Sequence, residues 1–154
     1  MRRFICVLVV LATPALRATG GDNDARTELK ALEGKWKAVA LEAGGKSLPK
    51  EAVPDFTFTV GAGGKSIGKM PKGDYEASIR VDPTKDPKTI DNVYETGVHK
   101  GKTQFGIYKL EGGKWIVCMT PPGAAETDRP KGFDTKDSTN VIFVFERIQE
   151  NKKP

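Results

Sequence analysis

The sequence predicts an all-β fold, about eight short antiparallel strands after one short helix, arranged as a meander, a sandwich or a closed barrel. Three observations lead there. Gly and Pro supply 27 of the 154 residues, above the roughly 12% of average usage, so turns are frequent. Apolar residues recur with period two in successive short runs, the spacing of a half-buried strand. Between those runs stand Gly63-Gly64, Pro71-Lys72-Gly73, Lys100-Gly101-Lys102 and Gly112-Gly113, at the spacing of hairpin turns. A chain of 154 residues holds one domain with a sizeable core, and no internal repeat or second domain boundary interrupts it.

The first twenty residues read as an export signal. Arg2 and Arg3 precede the apolar run FICVLVVLATPAL at 4–16, followed by small residues suited to cleavage. That run falls short of the roughly 20 apolar residues that span a bilayer, so no integral span is expected after cleavage. Cleavage is expected after Ala15, Ala18 or Gly20, with Ala18-Thr19-Gly20 fitting the small-x-small pattern best. The single domain then covers 21–154, secreted or periplasmic. Loss of Arg2, Arg3 and Arg17 leaves 22 basic against 20 acidic residues, so net charge falls from +5 to +2. The remaining lysines are scattered singly through turns, which is no nucleic-acid footprint. Cys6 is lost too, leaving Cys118 without a disulfide partner. In the run Trp115-Ile116-Val117-Cys118-Met119 it reads as a small buried hydrophobe.

Asp22, Asn23 and Asp24 offer capping oxygens to a helix over 25–33, with Leu29 and Leu32 on one face and Gly34 as its stop. The period then changes to two. In 34–41, Trp36, Ala38 and Ala40 share one face, while Lys35, Lys37 and Val39 take the other. Residues 56–60 alternate Phe56, Phe58 and Val60 with two threonines. Residues 74–82 alternate through Tyr75, Ala77, Ile79 and Val81. A weaker strand is expected at 66–70, and others at 88–96, 103–110, 114–120 and 140–148. The last, with 141–145 apolar on both faces, belongs between two neighbours. The Pro-, Gly- and Asp-rich stretch 121–139 reads as a long loop, the segment best placed to be mobile or to meet a partner.

Gly34-Lys35-Trp36 opens the first strand after a short helix, and Arg147 closes the last. This pairing is similar to the lipocalin pattern, in which Gly-x-Trp lays an indole across the closed end of a barrel beneath an Arg from the final strand. Over 27–148 the chain also resembles a lipocalin-like domain family of unknown function abundant in planctomycete bacteria. The resemblance rests on Leu32-Glu33-Gly34-Lys35-Trp36, Gly44-Gly45-Lys46, the run VDPTKDPKTID at 81–91, GIYKL at 106–110, Cys118, Pro121-Pro122-Gly123, and Arg129-Pro130 before Phe133. It implies an exported, eight-stranded lipocalin-like barrel, with Gly34, Trp36 and Arg147 in structural roles and no established activity.

Catalytic patterns are weak. The triplets at Gly45-Lys46-Ser47, Gly64-Lys65-Ser66 and Gly101-Lys102-Thr103 are hairpin turns; the second would need Gly where Thr59 stands to make a phosphate loop. His99, the only imidazole, reads as an exposed turn residue, and a dyad with Cys118 would need the fold to join them. One His and one Cys set no metal site. Asp82, Asp86 and Asp91 are interleaved with Lys85 and Lys88 and read as a Pro-braced turn. No catalytic residue, metal or cofactor is expected. The functional hint is aromatic. Phe56, Phe58, Tyr75, Ile79, Phe105 and Tyr108 are the candidates to line a lumen that accepts a small apolar or amphipathic molecule, or else to meet and fill it. In the second case the working surface is that of a structural module of the cell envelope, meeting a protein partner through 121–139.

Overall fold

The computed structural model describes residues 20–69 and 73–149; the export signal expected at 1–20, apart from Gly20, lies outside them. Nine strands follow one helix, α1 (Gly20–Leu32): β1 (Gly34–Ala43), β2 (Lys46–Ser47), β3 (Thr57–Val60), β4 (Lys65–Lys69), β5 (Tyr75–Asp82), β6 (Thr89–Tyr94), β7 (Thr103–Glu111), β8 (Lys114–Met119) and β9 (Val141–Arg147). From β3 to β9 each strand pairs antiparallel with the next, and β1 pairs with both β3 and β9. The result is a closed eight-stranded antiparallel barrel, a lipocalin-like all-β architecture. Closure leaves no long strand edge unpaired. The two-residue β2 only folds back on the end of β1, Glu42 opposite Ser47.

The helix begins earlier than its polar residues suggest. Asp22, Asn23 and Asp24 lie within α1 rather than ahead of it, where an acidic first turn suits the positive end of the helix dipole. Leu32 is fully buried and Leu29 packs on the same core, so the two-leucine face is the one that seals the barrel. The helix lies against β5 and the β3–β4 turn, and Glu28 reaches Lys88 of the β5–β6 loop at 2.7 Å.

β1 carries the other departure. Its register with β9 shifts between Ala38 and Ala40, a bulge at Val39 that turns the alternation over. Ala38 lies opposite Phe145 and Leu41 opposite Phe143, whereas Ala40 lies opposite Val144. Ala40 therefore leaves the Trp36 face, and Leu41 joins it. The bulge lets a ten-residue strand bend from β3 pairing at its start to the β2 hairpin at its end.

The weak strand owes its weakness to Ser66 and Gly68, both turned inward. A Cβ on Gly68 would overlap the Tyr75 ring, so the small residue makes room for an aromatic one across the ladder.

Inside, the half nearest α1 is packed solid. Trp36 and Trp115 meet edge to face at 5.3 Å between centroids, and Phe58 and Phe145 at 4.8 Å. The Arg147 guanidinium stacks 4.3 Å from the centroid of the Trp36 ring. It also donates to the carbonyls of Glu33 and Ala31, the latter at 2.7 Å. Gly34, with φ of +126°, leaves no room for a Cβ beside that guanidinium. Gly34→Ala is therefore expected to lower stability by about 2 kcal/mol or more, read as a reduced urea midpoint; an unchanged midpoint would show that Arg147 is not held there.

Candidate functional site

Strands β1, β3, β5, β7 and β9 have their ends arranged so that α1 and the β3–β4 turn close one rim. The other rim carries the loops 48–56, 95–102 and 120–140. Toward that rim the interior opens into a cavity of about 260 Å³, close to the lower bound of roughly 300 Å³ for small-molecule pockets. Its floor is Trp115, Phe58, Ile79 and Val117; its walls are Phe56, Phe143, Phe145, Tyr75 and Met119; its rim includes Pro54, His99 and Pro122. The two outcomes expected for the interior are thus both present, a filled half and an open half.

Of the residues expected to line a lumen, Phe56, Phe58, Tyr75 and Ile79 do so. Tyr108 does not; it faces inward but lies in the filled half, its ring 5.9 Å from Lys88 Nζ and its phenol raised by burial first and by the nearby Glu28 carboxylate second. Phe105 is on the other side of the wall. Residues 105 and 108 differ by an odd number along one strand, so they cannot share a face. In β7 Gln104 and Tyr108 face inward, only Gln104 reaching the cavity, and Phe105 points outward beneath Arg129, whose guanidinium carbon is 5.1 Å from the ring centroid.

The remaining lining residues come from strand phases that carried no aromatic run. β6 turns Ile90, Asn92 and Tyr94 inward, placing a carboxamide in an aromatic wall. Tyr94 Oη donates to Gln104 Oε1 at 2.8 Å, and Gln104 Nε2 donates to the Thr120 carbonyl at 2.8 Å. Burial raises both the Tyr75 and Tyr94 phenols, the neighbouring Tyr94 adds to the rise at Tyr75, and the Asn92 amide works against it at both. Both hydroxyls are therefore neutral donors at any physiological pH. His99 does lie in a turn, but it is half-buried at the rim rather than exposed. Gly101 N–H donates back to the Tyr94 carbonyl at 2.9 Å, curling the loop so that the imidazole meets the Tyr94 ring at 5.4 Å. Three enclosed polar atoms of lining residues lack any partner: Asn92 Oδ1, His99 Nδ1 and Trp115 Nε1. Such atoms are uncommon in protein interiors; Tyr108 Oη in the filled half is a further one.

The chain matches no protein-family model, no curated protein and no solved structure.

Cys118 and His99 lie on opposite faces of the wall. Cys118 is fully buried on the outer face with Ile107 and Ile142, beneath Phe133 of the long loop. Burial, with smaller contributions from Glu42 and Asp134, pushes its thiol up to about 11. The loop 121–139 is itself fastened to the barrel. Arg129 donates to the carbonyls of Gly106 and Ile90 at 2.9 and 3.2 Å and pairs with Asp91 at 2.7 Å. The fully buried Thr135 donates to Glu42 Oε1 at 2.8 Å and accepts from Gly45 N–H at 2.9 Å. Asp82 serves its own turn, accepting from Thr84 N–H at 3.0 Å. Among the described residues no cluster of three His, Cys, Asp or Glu side chains could hold a metal, and no helix is long and apolar enough to cross a membrane.

Phe58 belongs to the packed floor and Phe56 to the half-open wall. Phe58→Ala is expected to cost about 3–5 kcal/mol and Phe56→Ala about 1–2 kcal/mol, by urea denaturation; equal costs would mean the wall is as tightly packed as the floor. For Cys118 the folded state holds the thiol proton more tightly than the unfolded chain, whose thiol titrates near 9.0. Its contribution is fully present below about pH 9 and is lost as pH rises towards about 11, at up to roughly 1.4 kcal/mol per pH unit. Cys118→Ala should flatten the alkaline fall in stability by that slope, and a parallel fall in both proteins would refute the assignment.

Proposed function

We propose that the protein is an exported lipocalin-like carrier or sensor that takes a small apolar or amphipathic molecule into the barrel through the rim opposite α1. The observation that carries this reading is the cavity of about 260 Å³, walled by Phe56, Tyr75 and Phe143 and floored by Phe58 and Trp115. Apolar surface of this kind, left unfilled beside a solidly packed half, is what a buried ligand would cover. Export is supported by the Arg2-Arg3 pair, the apolar run at 4–16 and the small residues after it. The resemblance to the planctomycete lipocalin-like family supports the same placement. The fastening of 121–139 by Arg129, Phe133 and Thr135 gives that loop a structural role, which favours the lumen over the loop as the working surface.

Native mass spectrometry of residues 21–154, exported into a periplasm and purified without detergent, tests this. The expected result is an adduct of a few hundred daltons that disappears in Phe56→Asp, where a carboxylate enters the apolar wall. A bare polypeptide mass from wild-type protein, or an adduct indifferent to Phe56→Asp, would count against the carrier reading.

A further inference from the structure

The cavity is not uniformly greasy, and its polar atoms have a pattern. Asn92 stands on β6 between Ile90 and Tyr94, and its Oδ1 is enclosed with no partner. His99 presents an equally unpartnered Nδ1 at the rim, and Trp115 an unpartnered N–H at the floor. Asn92 Oδ1 is a free acceptor, the Trp115 N–H is a free donor, and His99 Nδ1 serves as either according to its tautomer. Two of the neighbouring polar side chains are already engaged, Tyr94 with Gln104 and Gln104 with the Thr120 carbonyl, while the Tyr75 hydroxyl lies on the nitrogen side of the Asn92 amide. Among the described residues no Asp, Glu, Lys or Arg lines the cavity. A charged head group would therefore be stripped of water without a counter-ion, which is strongly disfavoured. A purely hydrocarbon guest would leave the unpartnered atoms as they are, which is also unfavourable.

Resting on the lumen reading above, we infer that the cavity selects uncharged, flat amphiphiles bearing a hydroxyl or carboxamide, with Asn92 and His99 recognising that group and the aromatic walls taking the ring. A hydroxyl or carboxamide both donates and accepts, so it suits a mixed set of free acceptor and donor. Flat rings suit walls formed by Phe56, Tyr75 and Phe143, against which they can stack or pack edge-on. Asn92 has the larger part because it lies within the wall, whereas His99 stands at the rim.

Three compounds with one ring system separate the possibilities: naphthalene, 2-naphthol and 2-naphthoate, titrated calorimetrically into the exported protein. The expected order is 2-naphthol about tenfold tighter than naphthalene, with 2-naphthoate weakest. In Asn92→Leu, which keeps the volume and removes the amide, naphthalene should bind as to wild type while the advantage of 2-naphthol falls to about twofold or less. Retained naphthalene binding reports an intact barrel in the same experiment. His99→Phe should reduce the advantage by a smaller factor and serves as the second variant if Asn92→Leu does not fold. Equal binding of naphthalene and 2-naphthol, tightest binding of 2-naphthoate, or an advantage unchanged in the variants would overturn polar selection and leave the lumen reading standing. Failure of all three to bind wild-type protein would overturn both.

Discussion

One guanidinium ties the beginning of the domain to its end. Arg147, at the last position of β9, stacks on Trp36 and donates to the carbonyls of Ala31 and Glu33, while Trp36 Nε1 donates at 2.8 Å to the carbonyl between them, that of Leu32. Three consecutive carbonyls at the C-terminal end of α1 are thus occupied by two side chains. Those carbonyls have no partner within a helix and carry its negative dipole end, so a cation that also covers an aromatic face is well suited to them. Gly34 is required there because only a residue without Cβ can pass the guanidinium at positive φ. The same contact ties the helix over the barrel end and stands at the first pair, Trp36 with Arg147, of the β1–β9 ladder that closes the barrel.

From that closed end the interior changes character along the strands. Two indoles and the rings of Phe58 and Phe145 fill the width of an eight-stranded barrel, whose bore is just large enough for side chains to meet. Nearer the other rim the inward positions pass to Ser66, Gly68 and Asn92, and the rings of Phe56, Tyr75 and Phe143 line the wall without filling it. The outer wall meanwhile needs its own cover. Ile107, Cys118 and Ile142 form a second apolar layer under Phe133, so the long β8–β9 loop is held as a strap. This accounts for the two-sided hydrophobicity of β8 and β9, which a single internal core does not explain.

Recognition at the candidate site was only partly visible beforehand. The aromatic runs pointed to Phe56, Phe58, Tyr75 and Ile79, because clean alternation marks one face of a strand. The same rule, applied within β7, already forbids Phe105 and Tyr108 from sharing a face, but choosing between them requires knowing that 121–139 covers the outside. Asn92 could have been read from its phase with Ile90 and Tyr94; nothing local says that its amide would be left without a partner. His99 carried no signal at all, since its position depends on the curl of a loop around the Tyr94 carbonyl.

What the sequence by itself determined is the set of elements: eight strands with their turns, a helix ended by Gly34, and the Trp36 and Arg147 pair that spans them. These follow from local rules, period-two alternation, glycine at positive φ and an apolar helix face, each expressed over a few neighbouring residues. The tertiary structure alone decided the bulge at Val39 that moves Leu41 inward, the filling of one half of the barrel and not the other, and the isolation of Cys118 from His99. Those outcomes depend on which surfaces meet across distant strands, where volume and hydrogen-bond partners are settled only once the barrel has closed.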